Sequence, residues 1–68
     1  MIVQLNGEPV ELSDEATVLT VVESLEPPAQ ARGIAVAVDA EVVPRSAWDR
    51  RRLHDGAQVE VVAAVQGG

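Results

Sequence analysis

Only one stretch of this chain carries helical spacing, and the segments around it alternate. Val18, Val21, Val22 and Leu25 recur every three or four residues, which is the period of one face of an α-helix. Thr17 stands directly before them, placed to accept a hydrogen bond from a first-turn amide as an N-cap. At the other end Pro27-Pro28 cannot continue a helix, because neither residue has an N–H and Pro27 also biases Glu26 out of the α region. The spacing therefore predicts a short helix that ends near Leu25.

Residues 1–6 place Met1, Val3 and Leu5 on one face and Ile2, Gln4 and Asn6 on the other, the pattern of a strand. Asn6-Gly7 tolerates positive φ at both positions and predicts a hairpin, with Val10 and Leu12 resuming the alternation around Glu11. Residues 13–16 read as a polar turn. After a loop closing at Gly33, Ile34, Val36 and Val38 alternate with Ala35, Ala37 and Asp39 in a third strand. Residues 41–45 form a poorer strand that Pro44 restricts to a sheet edge. A polar segment over 45–55 has room for one helical turn at 46–49, and Asp55-Gly56 leads into a last strand over 58–65. The order is β-β-α-β-β-β, an α+β fold with a mixed sheet whose helix covers one face and leaves the other open. Residues 1–68 are expected to form a single domain with a flexible tail over 65–68.

At 68 residues, such a domain buries only about 60% of its unfolded surface, too little to enclose a deep catalytic cleft. Its apolar residues are largely Val and Ala, with one Trp and no Phe or Tyr, so the core must be thin. Eleven acidic against five basic side chains give a net charge of −6, the opposite of a nucleic-acid footprint. No apolar run is long enough to span a membrane. With no Cys either, the expected location is the cytoplasm, and any sulfur chemistry must use a thiol from elsewhere.

The chain ends on Gly67-Gly68 directly after the last predicted strand. At an average glycine frequency of about 7%, two terminal glycines arise by chance in roughly 0.5% of chains, so an incidental end is the bland reading. A carboxylate carried on two residues without Cβ atoms can nevertheless thread a slot closed to other residues.

Leu5-Asn6-Gly7-Glu8 in the hairpin, Thr17-Val18 at the helix start and Gly33-Ile34-Ala35-Val36-Ala37-Val38 in the third strand form an ordered series of motifs. It continues through Val43-Pro44-Arg45-Ser46 with Trp48, Leu53 with Asp55-Gly56, Val59-Glu60-Val61-Val62 and Ala64-Val65-Gln66-Gly67-Gly68. Together these resemble the bacterial sulfur carrier proteins of thiamine biosynthesis, members of the ubiquitin-like β-grasp family, across nearly the whole chain. Asp39, Ala57 and the run Arg50-Arg51-Arg52 depart from the usual pattern.

The resemblance implies a carrier and co-substrate rather than an enzyme. An E1-like adenylyltransferase would use ATP to convert the Gly68 carboxylate to an acyl-adenylate, with Gly67 giving the tail access. A sulfur donor of the cysteine desulfurase or rhodanese type would turn it into a thiocarboxylate, and a thiazole synthase would consume the sulfur. No cofactor would be bound by the chain itself, nucleic acid and membrane would not be partners, and the free protein would be a monomer. A carrier for molybdopterin, cysteine or another sulfur metabolite shares the fold and tail. A ubiquitin-like modifier is the alternative from another class, although the absence of Lys forbids chains linked through its own side chains.

If Val3, Leu5, Val36, Val38, Val59 and Val61 face the helix, then Ile2, Ala35, Ala37, Val62 and Ala64 face away from it. That would give an apolar docking patch continuous with Val65 and Gln66 of the tail. Trp48 reads as the packing anchor of the 45–55 segment, with a partner hot spot as the alternative. His54 has no second His or Cys to complete a metal site and reads as a solvated turn residue. Arg50, Arg51 and Arg52 read as a solvated charge run, and Asp14, Glu15, Glu23 and Glu26 as surface carboxylates.

Overall fold

The computed structural model describes residues 1–25 and 33–63. Its first hairpin is set by its turn. Asn6 and Gly7 sit at φ 51° and 86°, the left-handed pair whose twist matches that of the flanking strands. Strands β1 (Ile2–Leu5) and β2 (Glu8–Glu11) therefore pair antiparallel, with Leu5 opposite Glu8. Pro9 is carried by β2, an edge strand, where a missing N–H costs no ladder bond to a further strand.

Helix α1 (Val18–Glu23) starts where Thr17 predicts it. The Thr17 hydroxyl accepts from the Thr20 amide at 3.4 Å, and the Thr20 hydroxyl accepts from the Thr17 amide at 3.1 Å. This reciprocal arrangement satisfies two amides that the helix cannot. The amides of Val18 and Leu19 donate to the carbonyls of Arg51 and Trp48 at 3.0 and 2.9 Å. The polar segment over 45–55 is thus stitched to the helix start. At the other end the Ser24 hydroxyl donates to the Val21 carbonyl at 2.7 Å, and the helix closes at Glu23, two residues before Leu25. Pro27-Pro28 lies outside the described residues.

Strands β3 (Ile34–Val38) and β4 (Glu41–Val43) form a second hairpin through Asp39 and Ala40, at φ 51° and 71°. The fourth strand is shorter than the expected 41–45. Pro44 has no amide to extend the ladder, and its carbonyl accepts from the Ala47 amide at 2.8 Å, which starts a 3₁₀ turn at Arg45–Ala47. That turn begins one residue earlier than the predicted one.

The final strand, β5 (Gln58–Ala63), enters the middle of the sheet, whose order is β2-β1-β5-β3-β4. It runs antiparallel to β3, with Val38 opposite Val59 and Ile34 opposite Ala63, and parallel to β1, with Gln4 beside Gln58. The sheet is mixed, as the element order predicts. Residues 64 and 65 of the expected last strand lie outside the described residues.

One face of the sheet supplies Val3, Val36, Val38, Val43 and Val59 to the core. These meet Val18, Val21 and Val22 of the helix, and Trp48, Leu53 and Ala57 close the margin. Among the described residues, all of the large, fully buried side chains are Val. Leu5 and Val61 point the same way but are only partly buried at its edge. The Trp48 indole N–H donates to the Val43 carbonyl at 3.0 Å, and the Arg45 guanidinium lies over its ring, 5.2 Å from the centroid. Trp48 is the anchor of its segment, as its composition suggests.

Candidate functional site

The strand that leads to the chain end is held on both sides. Toward β3, the register keeps β5 paired as far as Ala63 opposite Ile34. Toward β1, strand pairing stops at Leu5 beside Val59, because the chain turns away at Asn6. The Asn6 side chain takes over there. Its Oδ1 accepts from the Val61 amide at 2.9 Å and its Nδ2 donates to the Val61 carbonyl at 3.2 Å. Gly67 and Gly68, with Ala64, Val65 and Gln66, lie outside the described residues, but they follow Ala63 without interruption.

On the sheet face away from the helix, cross-strand pairing aligns two rows. Val62 stands opposite Ala35, and Ala37 lies between Glu60 on one side and Val42 on the other. These residues line an open depression of about 150 Å³. It is shallow because the two alanines of β3 leave a trough between the taller Val42 and Val62, which are 72% and 62% exposed. Sequence alternation named Ala35, Ala37 and Val62 for this face. It did not name Val42, although Val43 pointing inward implies it, nor Glu60, which puts one carboxylate on the rim.

Ile2 is on the same face, also exposed, but elsewhere. Since Gln4 is level with Gln58 in the parallel pair, Ile2 is level with Gly56, six residues before Val62. At about 3.3 Å per residue that is about 20 Å along the sheet. The structure thus joins Ala35, Ala37 and Val62 and leaves Ile2 apart from them.

Residues 3–68 match the ThiS family. The chain belongs to it. Among solved structures, the crystal structure of a thiamine biosynthesis protein (ThiS) from Geobacter metallireducens superposes with a TM-score of 0.83 at 30% sequence identity, over 100% of both chains. No curated protein matches. The fold of this ThiS family member is the ubiquitin-like β-grasp, and the family match runs through Gly67 and Gly68.

Away from the depression, at the β3–β4 turn, the structure corrects the reading of His54. Its ring is exposed, but it is not simply solvated. His54 Nε2 lies 2.7 Å from Asp39 Oδ2, and Nδ1 lies 2.9 Å from the Asp55 carbonyl oxygen. Both ring nitrogens face oxygen acceptors, and only the doubly protonated imidazolium has two N–H groups to give them. The Asp39 hydrogen bond, and then the Asp55 carbonyl, raise the His54 pKa above the ordinary histidine value. Asp39 is lowered, first by the Gln58 amide that donates to its Oδ1 at 3.0 Å and then by His54.

The arginine run is also more engaged than a solvated run. Arg51 pairs with Glu41 at 3.2 Å, and Arg50 donates to the Ser46 carbonyl at 3.3 Å. Among the described residues no group of three or more His, Asp or Glu side chains could hold a metal ion. No described helix is long and apolar enough to cross a membrane.

Proposed function

We propose that this chain is a sulfur carrier of thiamine biosynthesis, with Gly68 as the point of attachment. The observation that carries the reading is the family match over 3–68, which includes the Gly67-Gly68 terminus. The full-length likeness to a thiamine biosynthesis protein supports it. A carboxylate is a poor electrophile, so an E1-like adenylyltransferase would first join it to the α-phosphate of ATP with loss of pyrophosphate. The terminal sulfur of a persulfide on a desulfurase- or rhodanese-type donor would displace AMP and leave an acyl disulfide. A thiol attacking the donor's sulfur, and ending in a disulfide with it, would then release a thiocarboxylate for a thiazole synthase. The chain contributes no catalytic group. Its part is to present a carboxylate that fits through a narrow channel, with Gly67 keeping that channel unobstructed.

The depression formed by Ala35, Ala37, Val42 and Val62 supports docking of the activating enzyme on this face of the sheet. Its small alanines admit a partner's larger apolar side chains, and the exposed valines give area to bury.

Intact mass after incubation with the activating enzyme, ATP and a sulfur donor tests the reading. Exchange of one terminal oxygen for sulfur is the expected result, and deletion of Gly68 should abolish it while leaving the unfolding transition in place. Attachment to a lysine of another protein in place of sulfur gain would instead establish a modifier. Thiocarboxylate that serves a different sulfur-requiring synthase but not the thiazole-forming one would move the carrier to another pathway.

A further inference from the structure

We propose that Asn6 is a positioning residue that fixes how far strand β5 stays held on its β1 edge as it runs toward the carboxyl-terminal tail. The support of β5 is asymmetric. On its β3 side, ladder pairing continues to Ala63. On its β1 side the last paired residue is Val59, and the Asn6 backbone amide adds a bond to the Val59 carbonyl at 2.8 Å. Beyond that point β1 has turned back into β2. Without a further partner, the amide and carbonyl of Val61 on that edge would be left to water, and the strand would fray one step earlier.

The Asn6 carboxamide fills that position as a strand would. A primary amide offers one acceptor and one donor in a plane, the same pair that a neighbouring peptide presents, and Asn6 turns both to Val61 at 2.9 and 3.2 Å. Few side chains can do this from this place. The backbone at Asn6 is left-handed, φ 51°, a region that Asn tolerates and branched residues avoid. Gly would fit the turn but carries no amide, and Asp would accept from Val61 without donating to it. The hairpin turn and the end of the central strand are therefore served by one residue with two separable roles.

For a carrier the consequence is geometric. Every residue of tail released from the sheet must be ordered again when the tail enters a partner's channel, at a cost in backbone entropy. Holding both backbone groups of Val61 keeps β5 supported on its β1 edge one step further toward the chain end. The kinetic part of this inference rests on the carrier reading proposed above.

Asn6→Gly isolates the amide, because glycine keeps the positive-φ turn without strain. Hydrogen exchange on the whole chain should show a severalfold faster Val61 amide, with the amides of Val3 and Val36 unchanged. In adenylation by the activating enzyme the variant should show KM raised about three- to tenfold at constant kcat, the pattern of lost uniform binding. Asn6→Asp, which keeps the acceptor for the Val61 amide, should recover most of the exchange protection. Unchanged Val61 exchange in Asn6→Gly overturns the proposal. So does a loosened Val61 with unaltered KM, which would make Asn6 a local fastener with no bearing on the tail. If the wild-type chain is not adenylated at all, the carrier reading fails, and the exchange measurement still decides what Asn6 does to the strand.

Discussion

On the covered face of the sheet, Val3, Val36, Val38 and Val59 keep at most 1% of their surface exposed, while on the opposite face Val42 and Val62 keep 72% and 62%. The residue type is the same, so side-chain chemistry does not distinguish the two faces. What differs is the cover. Helix α1, Trp48 and Leu53 lie over one face, and nothing among the described residues lies over the trough of Ala35 and Ala37 on the other. Valine on the first face contributes to stability. On the second it contributes area that only a partner could bury.

The sharpest way to break this comparison is at the edge of the cover. Trp48→Ala removes the largest closing side chain and leaves the Val43 carbonyl without its donor, so a loss of about 3–5 kcal/mol is expected in urea unfolding. A loss below about 1 kcal/mol would mean that the 45–55 segment is not what seals the core. Next, Val36→Ala should cost about 2 kcal/mol, from lost burial and the cavity left behind. Val62→Ala on the other face should stay within about 0.5 kcal/mol. Equal costs would show that the open face is covered in solution. Val62→Asp should keep the unfolding midpoint while weakening association with the activating enzyme.

Thr17→Ala tests the start of the cover rather than its mass. Losing one side of the capping box should cost about 1 kcal/mol, read as a lower thermal midpoint with the core signals intact. The smallest effect is expected at the Asp39–His54 corner, which has no buried side chain and is open to screening by salt. His54 is raised, so its contribution is complete below about pH 6.5 and fades as pH climbs through the folded-state value. Asp39 is lowered, so its contribution is complete above about pH 3.8 and fades as pH falls through the folded-state value. The clamp is therefore at full strength between those limits and weakens toward alkaline pH. An NMR titration should place His54 above 6.5 and move it back down in Asp39→Asn; an unshifted midpoint in the wild type would remove the clamp from the account.

Much of the fold was legible because it rests on local rules. Thr17 marked the helix start, Asn6-Gly7 the first hairpin, and the strict alternation of β3 separated Val36 and Val38 from Ala35 and Ala37. Elements that rest on distant pairing were not. The partner of His54 is fifteen residues away at Asp39, and the Asp39-Ala40 turn carries no glycine to announce a left-handed pair. Asn6 read as a turn residue because nothing near it in sequence reveals that Val61 needs a surrogate strand. For the candidate site, alternation assigned Ala35, Ala37 and Val62 to one face. Only the parallel register of β1 against β5 could show that Ile2 sits at the far end of it. Val42 was obscured by Pro44, which made its strand look too poor to have faces.

The central place of β5 also bears on how the domain responds to force. A partner that draws on the chain end pulls along the axis of a strand flanked by β1 on one side and β3 on the other. The hydrogen bonds to both neighbours lie across that axis, so the load is shared among them in shear and cannot open them one at a time like a zipper. An enzyme could therefore tug this domain by its last residues during capture or release, and the small valine core behind the sheet would remain closed while it did so.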